Sequence, residues 1–253
     1  MTEFRSTTDP KEGRISGNTF EHRLVRYSAL GGMAIFEGDI ALGPVTKIEA
    51  VSARAEIQLI APQGIAVSGS AFRWPNRLIP FRIDPALPQP ERVTEAIKQW
   101  QARTAIRFLE LDNSTLNQYP ARVYFTSQDG CWSEIGCRGG EQLVSLGDGC
   151  TVGNAIHEIG HTVGLWHEQS RKDRDIFVTI AWANIIDGMR HNFDQHIDDG
   201  DDIGAYDYGS IMHYPSNAFS KNGQATIVAK SSEPIGQRQA LSKGDIAAVQ
   251  SMY

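Results

Sequence analysis

The chain has 253 residues, enough for one large domain or two modest ones. Its 41% apolar and 21% charged residues exclude collagen-like, coiled-coil and wholly disordered proteins. The net charge of −6 argues against nucleic acid as a partner, and no apolar run is long enough for a transmembrane segment. Residues 1–6 lack the apolar core of a secretory signal. Either a signal has been removed, or the protein is not exported by that route.

The upstream part of the chain divides into three stretches. Residues 1–22 are polar, so we expect them to form a loose arm. Residues 44–60 contain several β-branched side chains and favour strand structure. Ala61-Pro62-Gln63-Gly64 then indicates an exposed connection, because Pro and Gly interrupt regular structure.

From Trp74 onward the periodicity predicts both strands and helices. Strands are expected at residues 78–83, 106–109, 122–125 and 142–146, and helices at residues 90–105 and 151–164. Much of residues 165–240 has no regular pattern. A last helix is predicted at the end of the sequence, where Ser242 and Asp245 have capping-box spacing.

The segment from His157 to His167 carries the chemical argument. Residues four apart lie on one face of a helix, so His157 and His161 can direct imidazole nitrogens at one metal ion. Three imidazoles with an open fourth position suit catalytic zinc. Glu158 follows the first histidine, and there its carboxylate can take a proton from water and return it to a leaving amine.

His167 can join the other two histidines only if the helix ends before it. A continuous helix from His157 to His167 would be roughly 15 Å long, whereas two ligands of one zinc lie within about 4 Å of each other. Gly164 can end the helix by adopting a left-handed conformation. The spacing therefore predicts a turn at Gly164.

The cysteines lie close together in the sequence, as Cys131, Cys137 and Cys150. They are too few for a disulfide scaffold, and their spacing is not that of a zinc knuckle. One local disulfide and one spare thiol is the simplest interpretation, and such a disulfide requires an oxidising compartment.

The histidine motif resembles the metzincin clan of zinc endopeptidases, and its surroundings resemble the astacin family in particular. The resemblance extends over about residues 70–253. The segments that carry it are Gly130-Cys131-Trp132-Ser133, residues 168–175, Ser210-Ile211-Met212-His213-Tyr214 and Gly236-Gln237-Arg238. It implies an α+β fold of the metzincin type with two lobes: a twisted sheet and helices above the cleft, and a mostly irregular lower lobe.

The same resemblance implies roles for individual residues. Glu158 would be the general base, Met212 would pack beneath the metal, and Tyr214 would be an exchangeable fifth ligand that stabilises the oxyanion. The alternative for Tyr214 is a buried aromatic residue with a satisfied hydroxyl. The ligands of one Zn²⁺ per chain would be His157, His161 and His167.

The family also bears on Arg238 and on the cysteines. Astacins often favour Asp or Glu after the scissile bond, and Arg238 is our candidate for the basic side chain that lines that pocket. The alternative is a solvated arginine or one paired with Glu233. Cys131 and Cys150 match the family disulfide of the active-site lobe. The second family disulfide is missing, so Cys137 is expected to be free, with a pairing of Cys137 as the alternative.

Phe36-Glu37-Gly38-Asp39 resembles the astacin prosegment motif, in which the aspartate takes the place of water on zinc. We therefore expect residues 1–64 to be an inhibitory prosegment and residues 65–253 to be the catalytic domain. A carboxylate is an adequate zinc ligand, and Gly38 lets the backbone turn in a narrow cleft. A Gly-Asp turn at the end of a strand is the alternative. The other candidate blocking groups are Glu37 and His22.

The chain is therefore predicted to be a zinc endopeptidase that acts on proteins or peptides. An activating protease would remove the prosegment near residues 61–67, and Glu168 would lie near the new amino terminus. The family implies a secreted, extracellular or periplasmic location. The alternative function is a catalytically silent, zinc-stabilised protein-binding module, although such a module would normally have lost Glu158 or a metal ligand.

Overall fold

The computed structural model describes residues 4–15, 23–54, 72–196 and 201–253. They form an α+β fold, as predicted. The helices are α1 (Val45–Arg54), α2 (Glu91–Arg103), α3 (Val152–Val163) and α4 (Lys243–Met252). The strands are β1 (Lys11–Ile15), β2 (Arg23–Leu30), β3 (Met33–Phe36), β4 (Ile40–Pro44), β5 (Leu78–Ile83), β6 (Arg107–Glu110), β7 (Arg122–Thr126), β8 (Cys131–Glu134), β9 (Glu141–Leu146), β10 (Val178–Ile180) and β11 (Ile227–Ala229).

One mixed sheet contains strands from both the upstream and the downstream parts of the chain. Its order is β1-β2-β3-β4-β8-β9-β7-β5-β6, and β10 pairs separately with β11. β8 is antiparallel to β9, whereas β4 pairs with β8 in parallel, with Ile40 beside Ser133 and Ala41 beside Glu134. The upstream strands therefore cover the edge of β8.

Helices α2 and α3 pack against each other, and α3 also packs against β8 and β9. Two buried tryptophans fix α3 in place. The indole N–H of Trp100 on α2 donates to the Ile156 carbonyl at 3.1 Å, and that of Trp74 donates to the Thr162 carbonyl at 2.8 Å. These bonds hold the middle and the end of α3 at fixed positions in the downstream core.

The upstream strands and α1 pack around an apolar cluster that includes Tyr27, Phe36, Ile40 and Ile48, and Ile135 from the downstream part of the chain also belongs to it. The prediction of strand structure for residues 44–60 was wrong over Val45–Arg54, which is a helix. Val45 and Ile48 are three residues apart, so both can pack on one helix face, and this packing overrides their β-propensity. Residues 55–71, and with them the expected connection at residues 61–64, lie outside the described residues.

The prediction of a loose arm was also wrong for residues 4–15. Lys11–Ile15 forms β1, which pairs with β2, and Phe4 is buried. The close approach of β1 to the upstream core requires Gly13, because a Cβ there would collide with the side chains of Tyr27 and Ile48. Polar composition alone did not reveal this packing.

The described part of residues 165–240 consists mainly of short 3₁₀ turns and loops, as expected. Helix α4 begins with the predicted capping box, in which Asp245 N–H donates to Ser242 Oγ at 2.9 Å and Ser242 N–H donates to Asp245 Oδ2 at 2.8 Å. Asp245 also accepts hydrogen bonds from Ser210 Oγ and Ile211 N–H. The capping residue thus connects α4 to the segment that precedes Tyr214.

Within the described ranges, no helix combines the length and apolar character needed to cross a membrane.

Candidate metal centre

Helix α3 positions two of the three motif histidines. It begins at a capping box between Thr151 and Asn154 and is buried along nearly its whole length. The helix ends at Gly164, whose φ of 114° is in the left-handed region and whose N–H donates to the Gly160 and His161 carbonyls. The chain therefore turns where the spacing predicted that it must.

The turn brings His167 back to the two helical histidines. The ring centroids of His157 and His161 are 4.8 Å apart, and those of His161 and His167 are 4.7 Å apart. All three side chains are buried. Three imidazoles, two from the helix and one from the segment after it, thus converge on one point.

Hydrogen bonds fix the orientation of each imidazole. His157 Nδ1 lies 2.8 Å from the Ile211 carbonyl, His161 Nδ1 lies 2.8 Å from the Leu165 carbonyl, and His167 Nδ1 lies 2.8 Å from a carboxylate oxygen of Glu37. Because each Nδ1 faces an acceptor, Nδ1 is the nitrogen that donates in the neutral form of each imidazole, and Nε2 can then bind a metal ion. Burial lowers the pKa of both His157 and His161, which favours this neutral form.

The Asp39 carboxylate faces all three Nε2 atoms. Its Oδ2 lies 3.1 Å from Nε2 of His157 and of His167, and its Oδ1 lies 3.6 Å from Nε2 of His161. Asp39 Oδ1 and His161 Nε2 are buried without a hydrogen-bond partner. A buried carboxylate that faces three imidazole nitrogens needs a compensating positive charge, and three imidazoles with one carboxylate form a donor set that suits zinc.

The backbone of the Glu37-Gly38 pair directs Asp39 into the site. Both residues have positive φ, 47° at Glu37 and 81° at Gly38, so the chain makes a tight turn just before Asp39. A Cβ at Gly38 would collide with the Phe219 ring, so only glycine fits there. Asp39 itself is fully buried.

Glu37 contacts the far side of His167 and is not among the four residues whose ligand atoms converge. Its two carboxylate oxygens accept hydrogen bonds from His167 Nδ1, His196 Nε2 and Ser170 Oγ at 2.8 to 2.9 Å. Burial acts to raise its pKa, but the two imidazoles outweigh burial and hold the pKa at about 2. His196 stacks on Trp166. Sequence analysis missed this role of His196, since the contact joins residues 159 positions apart.

Met212 and Tyr214 lie on two sides of the histidine cluster. Met212 is buried against α3, and a Cβ on Gly160 would collide with its sulfur. The ring of Tyr214 is 4.6 Å from that of His167, and its hydroxyl donates a hydrogen bond to the Glu37 carbonyl. The phenol thus contacts both a candidate metal ligand and the upstream segment.

The structure also describes three other features that were singled out from the sequence. Glu158 follows His157 on α3 and is fully buried. Arg238 is half-buried, and its Nη1 donates to the Ile211 and His213 carbonyls at 2.8 and 3.0 Å. Cys131 and Cys150 form a disulfide, and Cys137 is a buried free thiol. His22 lies outside the described residues.

Comparison with known proteins shows which family the chain belongs to. The family model named Astacin, which describes a family of peptidases, matches residues 66–253. The chain belongs to the astacin family.

Named relatives and a solved structure agree with this family. Zinc metalloproteinase nas-13 of Caenorhabditis elegans is 38% identical over 240 residues, which cover 91% of this chain and 52% of that protein. Blastula protease 10 of Paracentrotus lividus is 35% identical over 235 residues, which cover 86% of this chain and 38% of that protein. This astacin thus spans about half the length, or less, of these two curated relatives.

The solved structure of high choriolytic enzyme 1, a hatching enzyme zinc-protease from Oryzias latipes, has the same fold as this astacin. The TM-score is 0.66 at 34% identity, and the match covers 74% of this chain and 98% of that one. The fold and the donor set of the metal centre therefore agree with a zinc-binding member of the astacin family.

Proposed function

We propose that this astacin is a zinc-dependent endopeptidase that is latent until its upstream segment is removed. The observation that carries the proposal is the convergence of three buried imidazole Nε2 atoms on one carboxylate, that of Asp39. The three imidazoles supply the ligands of a catalytic zinc, and Asp39 takes the position that water needs. The same centre therefore accounts for both activity and latency.

The ligands of the zinc ion are His157, His161 and His167, and the bound ion supplies a Lewis acid for peptide-bond hydrolysis. Glu158 is the general base: it takes the proton of the attacking water and passes it to the leaving amine. The Tyr214 hydroxyl donates a hydrogen bond to the developing oxyanion. Met212 supports α3 by packing under Gly160.

Two contacts support the division of the chain into a prosegment, residues 1–64, and a catalytic domain, residues 65–253. The Asp39 carboxylate faces the metal ligands, and β4 covers the edge of β8. An extended peptide can bind by adding to a free sheet edge, so β4 excludes a substrate from β8. The family model begins at residue 66. The nas-13 match covers more of the chain than that model does, so it includes part of the upstream segment.

Activation requires cleavage within about residues 61–67, which lie outside the described residues, by a separate activating protease. The cleavage creates a new amino group. Glu168 is a suitable partner for it, because burial raises the pKa of this carboxyl to about 8 and a cavity of about 80 Å³ lies beside it. An ammonium group in that cavity would stabilise the ionised carboxylate.

The substrates are proteins or peptides, and Arg238 lines the pocket beside the scissile bond. The location is extracellular or periplasmic, after secretion. The disulfide between Cys131 and Cys150 supports this location, since such bonds persist in oxidising compartments.

The experiment measures zinc content and peptide-bond cleavage on the same sample, before and after limited proteolysis. We expect about one zinc per chain throughout, little cleavage of casein before proteolysis and strong, chelator-sensitive cleavage after it. Retention of zinc without any cleavage after removal of the prosegment would instead support a zinc-stabilised binding module. Full activity in the uncleaved chain would contradict latency.

A further inference from the structure

Phe4 lies in the cleft beside the metal centre. Its side chain is 8% exposed, and its ring centroid is 4.4 Å from that of Tyr214, 6.2 Å from that of His167 and 6.4 Å from that of His157. The Phe4 ring therefore lies next to two of the proposed zinc ligands, His157 and His167, and to Tyr214. A substrate bound for cleavage must place one of its own side chains in this region.

The pocket around Phe4 has two further walls. The Phe219 ring centroid lies 5.9 Å from that of Phe4, and the guanidinium carbon of Arg238 lies 5.7 Å from the Phe4 ring centroid, within the range of a cation–π contact. Phe219 has a φ of 52°, which is rare for a bulky residue. Such backbone strain persists where the surroundings fix a side chain, often at functional sites.

The residues that follow Phe4 cross from one side of the cleft to the other. Arg5 N–H donates to the Gly38 carbonyl at 2.9 Å, and the Arg5 guanidinium pairs with Asp129 at 2.8 Å, just before β8. Ser6 Oγ accepts a hydrogen bond from Asn192 Nδ2 at 3.1 Å, in the mostly irregular part of the chain. Residues 4–6 are therefore held by specific polar contacts on both sides.

Two separate stretches of the upstream segment thus occupy the cleft. β4 lies along Ser133 and Glu134 of β8, whereas Arg5 lies against Gly130 at the opposite end of that strand. The Asp39 carboxylate faces the three histidines as a fourth candidate ligand. Phe4 packs against the rings of Tyr214 and Phe219, whereas the Asp39 carboxylate faces the imidazole Nε2 atoms, so the two groups occupy different parts of the site.

We propose that Phe4 is a second inhibitory group, separable from Asp39, and that its pocket is the subsite for a large aromatic or apolar substrate side chain next to the scissile bond. This inference rests on the proposed endopeptidase function and specifies its substrate class. Beyond Phe4 the cleft opens into a cavity of about 510 Å³, which is lined by apolar side chains such as Ile186 and Met189 and by the polar side chains of Asn217 and Ser220. At the Phe4 position itself, the rings of Tyr214 and Phe219 favour an aromatic occupant over the acidic one that the family resemblance suggests for Arg238.

A binding experiment tests the pocket without relying on catalysis. The protein is the zinc-loaded chain that lacks residues 1–9 and carries Glu158→Gln, and the probes are fluorescein-labelled peptides with the sequence of residues 2–9. The matched peptides have Phe, Asp or Ala at the position of Phe4. We expect the Phe peptide to bind about tenfold or more tightly than the Ala peptide, because an aromatic ring is buried. Equal binding of all three peptides would contradict the proposed aromatic subsite. Tightest binding of the Asp peptide would show that the pocket prefers an acidic side chain.

An activity experiment tests Phe4 as the second inhibitory group in the uncleaved chain. The variants are Asp39→Ala, Phe4→Ala and the double variant, with Leu24→Ala as a control, since Leu24 is 53% exposed in the same upstream unit. We expect the double variant to cleave a quenched fluorescent peptide about tenfold faster than Asp39→Ala, and Leu24→Ala to stay latent. Equal cleavage rates for Asp39→Ala and the double variant would show that Phe4 is not a second inhibitory group. If the protein were inactive even after proteolysis, the proposed function would fail, while the peptide-binding result would still decide the pocket.

Discussion

Glu37 and Asp39 are carboxylates two residues apart, yet they act on opposite sides of the same imidazole. Asp39 faces His167 Nε2, whereas Glu37 faces His167 Nδ1. The positive φ values of Glu37 and Gly38 separate the directions of the two side chains. Under the proposed function, Glu37 thus orients His167 as a ligand, and Asp39 takes the fourth position on the metal.

Glu158 lies next to His157 but belongs to no group of converging ligand atoms among the described residues. We predict that Glu158→Gln retains about one zinc per chain after prosegment removal and loses peptide hydrolysis by at least about 100-fold, because the proton transfer fails. Zinc analysis and a fluorogenic peptide assay on the same sample measure both quantities. His161→Ala is the matched control, which should lose zinc as well as activity. Substantial hydrolysis by the Gln variant would exclude Glu158 as the general base.

At the scale of the element, the end of α3 decides whether His167 can reach the other histidines. Gly164 has a φ of 114°, where a Cβ is strained, so Gly164→Ala should cost about 1–2 kcal/mol. For a chain of this size we expect the melting temperature to fall by about 2–8 °C. The zinc off-rate should rise, because the turn holds His167 in place.

Gly140→Ala provides the control for this strain. Gly140 has open space at its Cβ position and no positive φ, so alanine is accommodated there. Differential scanning calorimetry and a zinc-release assay compare the two variants. Equal melting temperatures and equal zinc release would show that the left-handed turn does not position His167.

The elements show which features the sequence made predictable. The turn at Gly164 follows from the spacing of the three histidines and from zinc geometry, so it could be predicted from the sequence alone. Helix α1 did not follow, because Val45 and Ile48 have β-propensity and only packing against β1 and β4 makes them helical. The position of Phe4 was not predictable either, since it depends on contacts with residues such as Tyr214 that are distant in sequence.

At the scale of the whole molecule, residues 4–54 and residues 72–253 contribute to one sheet and to one candidate metal centre. Binding of an ion to the folded state alone stabilises that state. We predict that a chelator lowers the melting temperature of the uncleaved chain by about 5 °C or more, since zinc at about 100 times its dissociation constant contributes about 2.7 kcal/mol. Added zinc should restore the original value, and magnesium should not.

The sheet also shows how the upstream unit is attached. β4 pairs with β8 over two residue pairs, and Asp39 and Phe4 are buried. The proposed latency therefore rests on β4 as well as on the side chains of Asp39 and Phe4. A chelator that left the melting temperature unchanged would mean that the ion does not join the two parts. Latency would then depend on packing alone.

The central claim is that Asp39 is the fourth ligand of a zinc ion held by three histidines. X-ray diffraction at the zinc absorption edge, from crystals of the zinc-loaded uncleaved chain, tests it most directly. We predict one anomalous peak per chain, bonded to Nε2 of each histidine and to one Asp39 carboxylate oxygen. A peak on the three imidazoles with water in the fourth position and Asp39 turned away would contradict the claim, as would a peak elsewhere in the molecule.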